Sequence, residues 1–236
     1  MSKNLLKVIG LFVIGMVGGI FADQIFWPYF VERPLFYQYR LDKGTVYVTE
    51  KKETIIQENT ALTQAIDKVE KSVVGVRTQS QDQIIEGSGL IVTSDGLLVT
   101  LADLVPQSSK FSFFVDGKQV AFQILKRDSE TNLALVKIDE PNLTTVSFAN
   151  LDKLKMGERV FLVGTVFENS KAAKTVNEGI IKKISENLLE TNISEKNNLA
   201  GSVLFNIEGE VLGINVIDQG SVLTIPISKI KLFIGM

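Results

Sequence analysis

The chain has 236 residues, 45% of them hydrophobic and 22% charged, a composition that can bury a full core and does not suit a disordered segment. Lys and Arg number 25 against 27 Asp and Glu, so a formal net charge of -2 gives no general electrostatic case for a nucleic-acid partner. With no cysteine and no histidine, the chain lacks disulfides, thiolate nucleophiles, thiolate zinc sites and an imidazole base.

The first element is an apolar run, VIGLFVIGMVGGIFA from Val8 to Ala22, extended upstream by Leu5 and Leu6. Such a stretch reaches the ~18–20 residues a helix needs to cross a hydrocarbon core. Lys3 and Lys7 precede it, and Asp23 and Glu32 follow, so the positive-inside rule puts the N-terminus in the cytoplasm and the rest outside. Trp27, Tyr29 and Phe30 fit an interfacial aromatic belt, making residues 5–30 the membrane contact and 1–30 the anchor. A signal peptide cleaved after Ala22 is the alternative. Ile20 is a poor small-residue match for that, and the run is long for an h-region, so the reading is a retained anchor. Gly15 and Gly19 have small-xxx-small spacing but read as ordinary glycines of a membrane helix.

Residues 31–58 mix aromatics, charges and a proline, and read as a juxtamembrane connector with a short strand near Thr45 to Thr49. ENTALTQAIDKVEKS then places Ala61, Leu62, Ala65, Ile66 and Val69 on one face behind Asn59 as N-cap, predicting a short amphipathic helix.

From Ser72 the pattern changes to short apolar strands with tight turns. Asp95-Gly96, Asp116-Gly117 and Glu208-Gly209 each sit between strand-like runs, and NLALVKI, RVFLVGTVF and EGIIKKI add further strands. The pattern predicts an all-β barrel or sandwich within a folded part spanning 59–236. Pro141 divides it into halves at about 72–140 and 142–228.

Three stretches in order, GSGLIVTSDGLLVTLADLV (87–105), ETNLALVKI (130–138) and TNISEKNNLAGSVLFNIEGEVLGIN (191–215), resemble the trypsin-like serine proteases of the HtrA/Deg type. FLVG, EGII and IPIS also fall where that family has strand and turn motifs. The resemblance implies two six-stranded antiparallel β-barrels with a cleft between them. It places Asp103 at the family's histidine, in VTLADLV, and Asn132 at its aspartate, in NLAL. Ala200 falls at its serine, in NLAGS, with Asn198, Leu199 and Gly201 forming the remnant of the oxyanion loop. The family often carries a PDZ module after the protease domain, and with Met236 close after IPIS the expectation is a PDZ-less form.

A triad needs a hydroxyl that attacks, an imidazole that takes and returns its proton, and a carboxylate that fixes the imidazole's tautomer. Ala200 has no attacking atom, an ionised Asp103 accepts only, and Asn132 carries no charge, so no catalytic residue is assigned. An Asn132 amide can instead donate to an Asp103 carboxylate. A relocated Ser202–Lys196 pair is the remaining route to hydrolysis; Ser202, placed in a strand, lies ~6–7 Å from the lost nucleophile and reads as packing. Ser88 reads as a turn residue. The acidic residues have no metal-ligand spacing and there is no phosphate loop, so no metal and no cofactor are expected.

The function expected is an inactive, membrane-anchored, exported pseudoprotease holding an extended peptide or protein in its cleft, by strand addition to a free edge near residues 218–223. The alternative is a structural or regulatory subunit that assembles with itself, as a homo-oligomer, or with an active protease.

Overall fold

The computed structural model describes residues 2–31, 60–80, 83–107, 109–169 and 171–236, and divides the chain into two compact units, 1–56 and 57–236. The connector strand near Thr45 to Thr49 and the Asn59 cap lie outside the described residues.

In the first unit, α1 (Ser2–Phe21) is a 20-residue helix whose backbone continues as a π-helical segment, Ala22–Val31. The stretch Asn4–Trp27 has a mean hydropathy of 2.3 and none of it is buried, so it is long and apolar enough to cross a membrane. A continuous helix suits that setting because its backbone groups bond within the segment.

The second unit opens with α2 (60–69), which runs into a 3-10 turn at Glu70–Ser72. Ala65 and Val69 are buried and Leu62 and Ile66 pack against the core, while Ala61, expected on this face, is exposed. The helix rests on the turn at residues 207–210, where a Cβ on Gly209 would lie 3.0 Å from Val69 Cγ1 and where Lys68 Nζ donates to the Glu208 carbonyl at 3.2 Å.

Seven strand segments follow: β1 (Val73–Ser80), β2 (Gln83–Ile91), β3 (Leu97–Leu101), β4 (Lys110–Val115), β5 (Lys118–Val120), β6 (Phe122–Asp128) and β7 (Leu133–Ile138). They form an antiparallel ladder in the order β5-β4-β1-β2-β3-β7-β6. The ladder has seven segments and does not close by hydrogen bonds. Its two ends, β5 and β6, are separated in the chain by Ala121 alone, so they are one strand broken at a single residue. The Ala121 carbonyl is taken by the Asp139 N–H at 3.0 Å instead of by a neighbouring strand. At the β4–β5 turn Asp116 and Gly117 have φ of 47° and 76°, the pair of positive values a type I′ hairpin needs.

The other half is a closed six-stranded barrel in the order β10-β13-β12-β11-β8-β9, made of β8 (Arg159–Glu168), β9 (Lys171–Ile184), β10 (Leu189–Ser194), β11 (Val203–Asn206), β12 (Val211–Asp218) and β13 (Ser221–Pro226). A helix, α3 (Ile227–Ile234), ends the chain's regular structure at Gly235 and buries Ile227, Ile230 and Phe233. It forms where the IPIS motif suggests a strand or turn, because its apolar residues recur at i, i+3 and i+6. The fold is thus mostly β, a closed six-stranded barrel beside a half-barrel sheet, in keeping with the trypsin-like architecture the resemblance implies. A common apolar core joins the halves: Leu90, Leu98, Phe113 and Leu133 of the first pack in one cluster with Phe161, Phe205 and Ile214 of the second.

Candidate functional site

Asp103 sits in a 3-10 turn, Ala102–Leu104, directly after β3, and Asn132 directly before β7. β3 and β7 are paired, with Leu101 opposite Leu133, so their ends bring the two residues together. Asn132 adopts a left-handed backbone, φ 55°, which asparagine tolerates. Its carbonyl accepts from the Ala102 N–H at 3.1 Å. Its side chain then makes a reciprocal pair: Asn132 Oδ1 accepts from the Asp103 N–H at 3.0 Å, and Asn132 Nδ2 donates to Asp103 Oδ2 at 2.8 Å. Asp103 is exposed. A carboxylate held in this way is oriented and accepts only.

Ala200 ends a second 3-10 turn, Asn197–Leu199, which follows β10. The turn uses its own amides: Leu199 N–H donates to the Lys196 carbonyl and Ala200 N–H to the Asn197 carbonyl, each at 3.0 Å. An oxyanion site needs amides aimed at a developing charge, whereas the Ala200 N–H is satisfied inside the turn. Leu199 is buried with Leu162, Ile193 and Val222 of the second barrel, anchoring the turn in that shape. Asn198 is half-buried on the same turn. Gly201 has φ 79°, its N–H donates to the Asn215 carbonyl at 2.8 Å, and a Cβ there would fall 2.1 Å from the Ser88 carbonyl oxygen. The Ser88 N–H in turn donates to the Ala200 carbonyl at 2.9 Å. The two turns meet through buried Leu104, whose Cδ1 would be 2.9 Å from a Cβ on Gly201.

Ser202 is not in a strand. It lies between this turn and β11, its N–H donating to the Leu199 carbonyl at 3.1 Å. Its fully buried hydroxyl accepts from Asn215 Nδ2 at 3.0 Å, and Thr224 Oγ1 donates to Asn215 Oδ1 at 2.7 Å. Lys196, by contrast, is exposed. Ser88 is equally buried; its hydroxyl accepts from the Thr165 N–H at 2.8 Å, so it is a brace between the barrels rather than a turn residue. Nothing in the sequence marked Asn215 as the centre of this network, apart from a polar residue amid the apolar run VLGINVI.

The free edge lies a few residues before the expected place. Residues 218–221 form the β12–β13 turn, and β13 is paired on both sides, with β12 and with β10. β12 is registered with β11 only as far as Ile214, and the Asn215 N–H and C=O bond the Ser202 carbonyl and the Gly201 N–H on that same side. Antiparallel strands alternate the side to which their backbone groups point, so Ile217 directs its N–H and C=O the same way as Asn215. Among the described residues no strand pairs with Ile217 on that side. Sequence reasoning placed the edge at the hairpin tip because register cannot be counted from composition.

A second place lies between the halves. A cavity of 170 Å³ is lined by Glu70, Phe114, Asp116, Thr165 and Lys174 among others. Lys174 Nζ donates to the Val73 carbonyl, and burial pulls its pKa down to about 8 against the opposing pull of Asp116 and Glu70. Among the described residues no cluster of three acidic side chains could hold a metal ion.

Residues 87–214 match the trypsin-like peptidase domain. A probable periplasmic serine endoprotease, DegP-like, of Halomonas elongata is 29% identical over 150 residues, 60% of this chain and 31% of the relative. Proteins of the same description from Rhizobium meliloti and Rickettsia prowazekii are 34% identical over 140 residues, 55% of this chain and 27% of the relative, and 29% identical over 190 residues, 72% of this chain and 37% of the relative. The chain thus spans about a third of the length of these relatives.

Proposed function

Because the chain belongs to the trypsin-like peptidase family and is of the HtrA type, yet carries no nucleophilic atom at Ala200, we propose that it is a membrane-anchored pseudoprotease that binds extended peptides without cutting them. In this reading Asp103, Asn132 and Ala200 stand at the three catalytic positions of the family. The relatives are named serine endoproteases, so in this reading the scaffold is an enzyme's and the replaced side chains are what removes the chemistry.

The observation that carries the reading is the Ile217 edge. A backbone N–H and C=O pair on the β11 side of β12 with no strand opposite it can add one strand of a peptide, and this mode needs no nucleophile. The same alternation that frees Ile217 ties Asn215 to Gly201, so a peptide on β12 would run alongside the Ala200 turn. Asp103 and Asn132 support the reading from the other side, because their mutual hydrogen bonds satisfy a site that no longer shuttles protons. The apolar stretch Asn4–Trp27 and the relatives' description as periplasmic support an anchor with the β domain outside the cytoplasm.

The test uses the full chain in lipid nanodiscs and a set of unstructured decapeptides. Hydrogen exchange at Ile217 is expected to slow when peptide is added, with no peptide cleaved and no labelling by a fluorophosphonate. Peptide turnover, or bound peptide that leaves Ile217 exchange unchanged, would overturn the reading.

A further inference from the structure

We propose that this cleft selects extended peptides carrying a lysine or arginine side chain, and that Asp103 is the group that receives it. The inference rests on the strand-addition reading and adds the chemistry of the ligand. Asp103 is held by two hydrogen bonds to a single side chain, its N–H to Asn132 Oδ1 and its Oδ2 from Asn132 Nδ2. Asn132 is neutral, so it fixes the carboxylate's direction without cancelling its charge. The residue is exposed, and no Lys or Arg among the described residues lies within the 4.0 Å of an ion pair.

The cation bonded just beyond the Asp103 turn is committed to other groups. Arg127 Nε donates to the Val105 carbonyl at 2.7 Å, and its guanidinium lies 5.6 Å from the centre of the Phe111 ring. Lys196 is exposed at the start of the Ala200 turn, whereas the contact with the Asp103 turn, through Leu104, is made at Gly201 beyond its end. Asp218, exposed at the end of β12, adds a second carboxylate beside the free edge. The Asp103 turn meets Gly201 through Leu104, and Gly201 is bonded to Asn215 of β12, so a peptide aligned on that edge runs toward an oriented, uncompensated negative group at the position where the family's active members have an imidazole. A carboxylate of this kind prefers a bidentate or charge-assisted donor, which lysine and arginine supply on stems long enough to reach sideways from a strand.

The full chain in nanodiscs is titrated with fluorescent nonapeptides of alternating valine and threonine, acetylated and amidated at the ends, with lysine, norleucine or glutamate at the centre. The lysine peptide should bind about fivefold or more tightly than the norleucine one, and the glutamate peptide most weakly. The ratio should shrink at high salt and vanish in Asp103→Asn. Equal binding of the three peptides to the wild-type chain, or a lysine preference that survives Asp103→Asn, overturns the inference and leaves strand addition standing. Failure of all three peptides to bind overturns both.

Discussion

Putting a serine back at Ala200 should not put catalysis back. In the triad, removing the serine or the histidine alone costs about as much as removing all three members, about 10⁶ in turnover, so the residues act as one unit. Ala200→Ser restores one of three, with no imidazole beside it to take and return the proton. The expected result is no hydrolysis of a fluorogenic peptide and no fluorophosphonate labelling. The triple variant Ala200→Ser, Asp103→His, Asn132→Asp supplies every side chain but leaves the backbone as it is. The Ala200 N–H is bonded to the Asn197 carbonyl at 3.0 Å, and buried Leu199 anchors the turn, so one oxyanion donor stays turned away. One missing donor costs roughly 10²–10³ in turnover. The triple variant should therefore run about two to three orders of magnitude below an active relative on the same peptide, measured by progress curves with labelling kinetics beside them. Labelling of the single serine variant at the rate of an active relative would refute the reasoning, because neither the missing imidazole nor the closed turn would then matter.

Gly201→Ala should destabilise the domain by about 2 kcal/mol or more, through its left-handed backbone and a Cβ 2.1 Å from the Ser88 carbonyl oxygen; an unchanged thermal midpoint would contradict that geometry. In a double-mutant cycle with Asp103→Ala and Asn132→Ala, urea unfolding should show coupling on the order of 0.5–1 kcal/mol, and strictly additive losses would mean the pair contributes nothing. Lys174 releases its proton at about 8 in the folded chain but near 10.5 when unfolded, so between those values the unfolded state binds more protons and stability rises with pH. Compared with Lys174→Met, which has no such group, the wild-type chain should gain stability from pH 8 to 10.5, by no more than about 3 kcal/mol; a difference that stays flat would show that burial does not perturb this amine.

Side-chain pattern made part of this molecule readable. Asp116-Gly117 needs positive φ and forms the hairpin its sequence implies, and the alternating apolar runs become the strands of both halves. Asp103 and Asn132 could be paired on paper because the resemblance puts them at the family's histidine and aspartate positions, and they do meet, just after β3 and just before its neighbour β7. The unreadable features depend on backbone direction. Which carbonyl takes the Ala200 N–H, which side of β12 Ile217 faces, and why Ser202 leaves the strand all follow from register and turn geometry. α3 was missed for a different reason: eight residues are too few for helical periodicity to outweigh a strand motif.

Ala121 has a consequence for how the first half can be cut. Because it alone connects the two ends of the ladder, a nick or a circular permutation there would remove no strand and no turn. It would instead release the covalent tie between the two ends of a sheet that hydrogen bonds leave open, so that β5 stays with β4 and β6 with β7 but nothing keeps the two ends adjacent. A single residue with no side-chain chemistry of its own thus holds together the two ends of this half of the protein.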